Sequence, residues 1–309
     1  MNKKRNYLLL IINFLLIFCF CSCDISESTD TVILCDYKSF DIPVEVYEVA
    51  KEDISFATKM SLLEKNAIVE KTSNPNIVEE EDVVLLTVKV NDSNPYSIQI
   101  VVGDAEINER IDNALLNKRK DDSFSLTIEN DNYQITIHGI KQYAETVTDE
   151  IAKKYFKMDC ANDVTNYIKN DIEEHRKFEY AYELLLNKSM VKIKYENKTA
   201  YTTKILEYCN LQASQQGIST DEYVRDNYGY TIDEYRDVLN SFYDEYNILN
   251  HLIKNEKIEV LQKEFDRYLD SLADSYGMSS EELLLQNGKE FVYYNIYYDL
   301  SYSILLQYI

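Results

Sequence analysis

Only three histidines, six cysteines and three prolines occur in the 309 residues, and each scarcity removes a class of function. His138, His175 and His251 stand far apart with no partner at ligand spacing, so no metal is implied. Cys35, Cys160 and Cys209 are too widely separated to form a disulfide framework and read as small apolar residues. Bases are scarce as well, 32 against 54 acids, which gives a net charge of -22. A chain so acidic should be repelled by nucleic acid and by anionic lipid. No glycine-rich loop of phosphate-binding spacing is present, so neither ATP nor any other cofactor is expected.

The remaining cysteines crowd the N-terminus. Lys3, Lys4 and Arg5 precede an apolar stretch from Tyr7 to Phe20, broken only by Asn13, which is the layout of a secretory signal. The run is shorter than the roughly 20 residues a spanning helix needs, which weighs against an uncleaved membrane anchor. Ser22-Cys23 directly after it resembles the lipobox of bacterial lipoproteins, although Phe20 stands where Leu, Val or Ile is usual. The resemblance implies a signal peptide over 1–22, lipid on Cys23, and an acidic linker over 23–34. It places the protein on the extracytoplasmic face of a cell membrane, held by its lipid. Loss of Lys3, Lys4 and Arg5 would take the net charge to -25.

The chain changes character near residue 143. Pro43, Pro75 and Pro95 all lie before it, and 22 of the 27 tyrosines lie from Tyr143 onward. In the first half, residues 82–90 and 96–102 have the β-branched, turn-bounded pattern of strands. Ile107, Ile111 and Leu115 then recur every fourth residue, as on a short helix. Residues 123–128 and 133–140 flank a polar turn at 129–132 and read as a hairpin. An antiparallel sheet on one short helix predicts a small α+β domain.

The run from Gly103 to Phe124 and the strand ITIHGIKQY resemble FKBP-type prolyl isomerases in the order of glycine, pocket helix and last strand. The match implies a degenerate FKBP-like domain over 35–142, with a proline pocket lined by Val88, Ile107, Ile111 and Tyr133. Aliphatic Ile111 and Val88 stand where that family has aromatics, and its long flap is reduced to a turn. Isomerisation needs only an apolar, hydrogen-bonded pocket around the twisted amide. Loss of the aromatic walls therefore points to weak or absent activity. The plainer reading, that these four residues are core, is preferred because apolar residues at helix or strand spacing usually are.

The second half, 143–309, predicts a string of helices. Val164, Ile168, Ile172, His175, Phe178, Tyr182 and Leu185 form one apolar stripe, with His175 expected as a core histidine; Tyr235, Val238, Phe242, Tyr246, Leu249 and Ile253 form another. A glycine followed two residues later by Ser or Thr, and three beyond that by Glu, recurs at Gly217, Gly229 and Gly277. Such a phrase closes one helix and caps the next. Asp149 to Lys154, QQGISTDEYV, YTIDEYRDVL and EFDRYLDSLADSYGMSSEELL resemble, in order, the helical chaperone domain of trigger factor, and DYKSFDI resembles its lead-in to the isomerase domain. The resemblance implies an ATP-independent folding factor whose partners are unfolded or nascent exported polypeptides. The family's basic ribosome-docking domain has no counterpart, so no ribosome contact is expected. Phe291, Tyr294, Tyr298 and Tyr302 are the candidate client surface, although their helical spacing also suits a packed last helix. A surface lipoprotein that binds one specific partner or ligand is the alternative.

Overall fold

The computed structural model describes residues 30–309. The signal segment and Cys23 lie outside the described residues. In chain order the elements are β1 (Thr31–Ile33), α1 (Lys51–Glu64), β2 (Ile68–Glu70), β3 (Val83–Val90), β4 (Tyr96–Val101), α2 (Glu109–Leu115), β5 (Ser123–Ile128), β6 (Asp131–Tyr143), α3 (Ala161–Lys188), β7 (Met190–Lys192), α4 (Tyr195–Gln216), α5 (Thr220–Tyr228), α6 (Ile232–Asn255), α7 (Gln262–Tyr276) and α8 (Ser280–Leu306). None of the described helices is long and apolar enough to cross a membrane. The chain is of the α+β class, and its described residues divide into two compact units: 48–173, and 30–47 together with 174–309.

In the first unit, β6 is the central strand. It pairs with β3 along one edge and with β5 and β2 along the other, and β4 extends the sheet beyond β3, all antiparallel. Inward positions Ile135 and Ile137 give way to Ile140, a spacing of three rather than two. The register explains it: Leu86 faces Ile137 but Leu85 faces Gly139, so His138 is an extra residue in a bulge. The bulge keeps apolar side chains on the core face along the whole strand. Ile111 and Leu115 of α2 cover that face, and Asn108 caps the helix by accepting from the Arg110 amide at 2.9 Å. Buried Lys71 ties down the irregular stretch before β3 through Asp82 at 2.6 Å, Glu79 at 2.7 Å and the Ile77 carbonyl at 2.9 Å.

Four local expectations change. The hairpin turn is two residues, since Ile128 already pairs with Asp131. Ile107 precedes α2 rather than joining it, although it still packs against the same core. The unit also holds a second helix of good length, α1, whose Leu62 is fully buried. Finally, the expected boundary at residue 142 falls inside the unit, because Val164 and Ile168 at the start of α3 pack with Ala152 there.

The second unit is helical, and the phrases around its glycines act as anticipated. Gly217, Gly229 and Gly277 end helices in the left-handed conformation, and Ser219, Thr231 and Ser279 each cap the following helix through the amide of Glu222, Glu234 or Glu282. Two cores result. Tyr201, Ile205, Cys209, Tyr223, Val224, Tyr235 and Leu239 join α4, α5 and the start of α6 into an arm. Phe178, Leu185, Leu249, Leu252, Phe265, Val292 and Leu305 join α3, α6, α7 and α8 into a body. The DYKSFDI segment belongs here: Tyr37 is buried in the body core, with Phe40 and Ile42 packed against it, and β1 pairs with β7. His175 is exposed rather than core, with its ring 5.8 Å from that of Tyr302.

A sixth glycine does what no periodicity signals. Gly288 sits inside α8 at φ 77°, ψ 165°, and breaks it into two helical pieces. Only glycine occupies that region without strain. A β-carbon there would also lie 2.8 Å from Glu290 Oε2. The break frees the Asn287 carbonyl, which accepts from the Tyr201 hydroxyl of the arm at 3.4 Å. Gly288→Ala should destabilise the protein by about 1–3 kcal/mol, measured by urea unfolding; an unchanged midpoint would contradict this reading of the kink.

Candidate functional site

The four residues anticipated for a proline pocket come together. Val88 lies between Tyr96 on β4 and Ile135 on β6, Tyr133 faces Val90 and Leu126, and Ile111 and Ile107 approach from the helix side. Val88 and Ile111 are wholly excluded from solvent, and Ile107 and Tyr133 are half-buried. In this conformation the row is part of the packed core rather than the wall of a groove. Nearby Asp112 is buried and uses Oδ2 to accept from the amides of Gly103 and Ala105 at 2.8 and 2.9 Å, which shapes the loop into α2.

The aromatic run on α8 is packed as well. None of Phe291, Tyr294, Tyr298 and Tyr302 is fully exposed. Phe291 lies near Phe242 and Tyr276; Tyr298 and Tyr302 close on Phe178 with centroid distances of 5.4 and 4.8 Å; Tyr294 meets Phe242 at 4.9 Å. These are edge and tilted contacts of the favourable kind. At the centre of the seam is a charge the pattern did not reveal. Glu245 on α6 accepts hydrogen bonds from the hydroxyls of Tyr182 on α3 and Tyr294 on α8. Burial pushes its carboxyl above the usual range, and the two hydroxyls oppose that shift. Burial and the neighbouring Glu245 in turn raise both phenols well above their ordinary value.

What the helical unit exposes lies elsewhere. Tyr195 and Leu211 on α4, Leu261 before α7, Tyr276 at the end of α7 and Leu285 on α8 are each 40% exposed or more. They stand off the buried stripes, which is the signal by which a helical sequence can mark them. A groove of about 520 Å³ runs between residues 32–38 and the last turns of α6, lined by Val32, Leu34, Lys38, His251 and Lys254 among others. Glu256 engages Lys38 at 2.7 Å and accepts from the buried Tyr37 hydroxyl, and these partners hold its carboxyl below the ordinary range. His251, one of the lining residues, has Nδ1 2.9 Å from the Asn247 carbonyl. Cys209 is a buried thiol pushed up to about 11 by desolvation, whereas Cys35 and Cys160 are half-buried.

No family model matches the chain, and no curated protein matches it. One solved structure it resembles is described as "Promiscuous Substrate Recognition in Folding and Assembly Activities of the Trigger Factor Chaperone", with a TM-score of 0.46, 14% sequence identity, and coverage of 98% of this chain and 83% of that chain. At that score the likeness decides neither family nor activity.

The Glu245 cluster makes a pH-dependent prediction. A carboxyl whose folded-state pKa is raised stabilises the fold fully below its unfolded value, near 4.5, and loses that contribution as pH rises through the raised value. Glu245→Gln should therefore flatten the decline in stability as pH climbs from about 4.5, read by thermal unfolding across a pH series. Tyr182→Phe should cost about 1–3 kcal/mol where the half-buried Glu245 carboxyl is ionised, by leaving it short of a donor, and less once that carboxyl is protonated.

Proposed function

We propose that the chain is a folding factor, tethered to the outer face of a membrane by lipid on Cys23, that binds unfolded exported polypeptides without ATP. The observation that carries the proposal is the arm. The stretches that resemble the trigger factor chaperone domain, QQGISTDEYV, YTIDEYRDVL and EFDRYLDSLADSYGMSSEELL, coincide with capped glycine corners. The first two of those corners bound a helical cluster with its own core. Passive holding requires separated apolar contacts on a soluble surface. Tyr195, Leu211, Leu261, Tyr276 and Leu285 supply such contacts, and the net charge of -25 left once Lys3, Lys4 and Arg5 are removed keeps a loaded complex from associating. Each contact removes modest apolar area, about 25 cal/mol per Å², so many weak contacts suit varied clients better than one deep pocket.

Prolyl isomerisation contributes little or nothing in this reading, since enclosed Val88 and Ile111 leave no apolar wall for a substrate. A second reading, a lipoprotein dedicated to one partner, is favoured by the groove at His251 and Lys254, which is a more specific feature than scattered side chains.

The protein should suppress light scattering from a chemically unfolded client diluted into buffer, with no dependence on ATP. Unchanged scattering at several-fold excess of the chain would sink the holding function. Refolding of a proline-limited substrate should proceed at its uncatalysed rate, tens to hundreds of seconds; clear acceleration would restore the enzyme.

A further inference from the structure

The first described residues raise a question of orientation. The strand pair β1–β7 is short and two-sided. Val32 faces Val191 on the side packed into the body, whereas Ile33 faces Met190 on the other. Ile33 and Met190 are 56% and 53% exposed, an apolar cross-strand pair in water. Next to them on the same side, Thr31 pairs with exposed Lys192. Tyr195, 75% exposed, opens α4 three residues on. Asp30 ties the two strand ends together: its carboxylate accepts from the Lys194 amide at 2.7 Å and from Asn197 Nδ2 at 2.5 Å.

The charge of this face departs from that of the chain. Residues 188–194 contain Lys188, Lys192 and Lys194 and no acid, in a protein with 54 acids against 32 bases. Exposed Ile and Met, a bordering Tyr and flanking lysines are the side chains that settle at a bilayer surface. Position agrees with composition. Six residues lie between Cys23 and Asp30, seven steps along the chain and a reach of at most about 25 Å.

We propose that the solvent face of the β1–β7 pair, formed by Ile33, Met190 and Lys192 with Lys194 and Tyr195 at its border, docks on the anionic surface of the bilayer that anchors the chain. The proposal rests on the Cys23 anchor in the proposed function. An acidic protein held by a lipid is repelled by anionic lipid in most orientations. An apolar face bordered by Lys192 and Lys194, with Asp30 and Glu196 the acids beside it, is less acidic than the rest of the chain and selects one orientation, each lysine near such a surface favouring it about fivefold.

The chain contains no tryptophan, so one introduced ring reports alone. Tyr195→Trp in the acylated full chain, reconstituted in phosphatidylethanolamine–phosphatidylglycerol vesicles with brominated acyl chains, should shift to shorter wavelength and lose intensity. Leu211→Trp, 16 residues or about 24 Å further along the same helix, should do neither. Lys192→Glu with Lys194→Glu should abolish the loss at position 195 while the protein still floats with the vesicles. Equal loss at both positions, no loss at 195, or a loss indifferent to charge reversal overturns the docking face and leaves the anchor standing. Protein that does not float refutes the anchor, and the face falls with it. A shift at 195 that needs an added unfolded polypeptide rather than brominated lipid also overturns the proposal and assigns the face to a protein client.

Discussion

A carboxylate drawn partly out of water between helices is costly unless donors meet it, and the body of the helical unit holds one, half-buried Glu245. Tyr182 and Tyr294 reach Glu245 from two other helices, so a directional polar contact joins α3, α6 and α8 alongside their apolar packing. The tyrosine richness of the second half follows. A tyrosine fills the seam as a phenylalanine does and carries a hydroxyl to satisfy buried polar atoms. Phe178 among Tyr182, Tyr298 and Tyr302 shows the same economy of shape. The run of rings on α8 therefore serves cohesion, and in the proposed account the contacts offered to a client lie off the seam.

The sheet unit follows another constraint. Its long central strand must present apolar residues inward along its whole length, and the bulge at His138 corrects the phase halfway. With Val88, Ile111 and Ile135 closed over one another, the sheet keeps its apolar centre to itself. Folding function in the proposed account thus belongs to the helical unit.

How much of this was written in the sequence depends on the range of the interaction concerned. The helix corners were legible because each is decided within six residues: glycine for the left-handed turn, Ser or Thr for the cap and, at Thr231 and Ser279, Glu to close the box. The strands were legible from β-branched runs. Helix α1 was not, because Phe56, Met60 and Leu63 are exposed and blur the stripe that Leu62 would have marked. The lead-in at 35–42 was assigned to the sheet unit because its burial depends on α6 and α8, more than 200 residues away. Glu245 was missed for the same reason, since its tyrosines come from helices 63 and 49 residues distant. For the proline-pocket residues, the sequence allowed both pocket and core; side-chain exposure distinguishes the two, and periodicity does not.

A tethered holding factor and a dedicated lipoprotein differ in what their exposed side chains touch. Photo-crosslinking from Leu211 and Leu285, both on the surface of the helical unit, tests that difference directly. With the anchored protein offered several unrelated unfolded polypeptides of known identity, the account predicts adducts to all of them from both positions and none to the same polypeptides once folded. Adducts to a single polypeptide, or none to any, would contradict it.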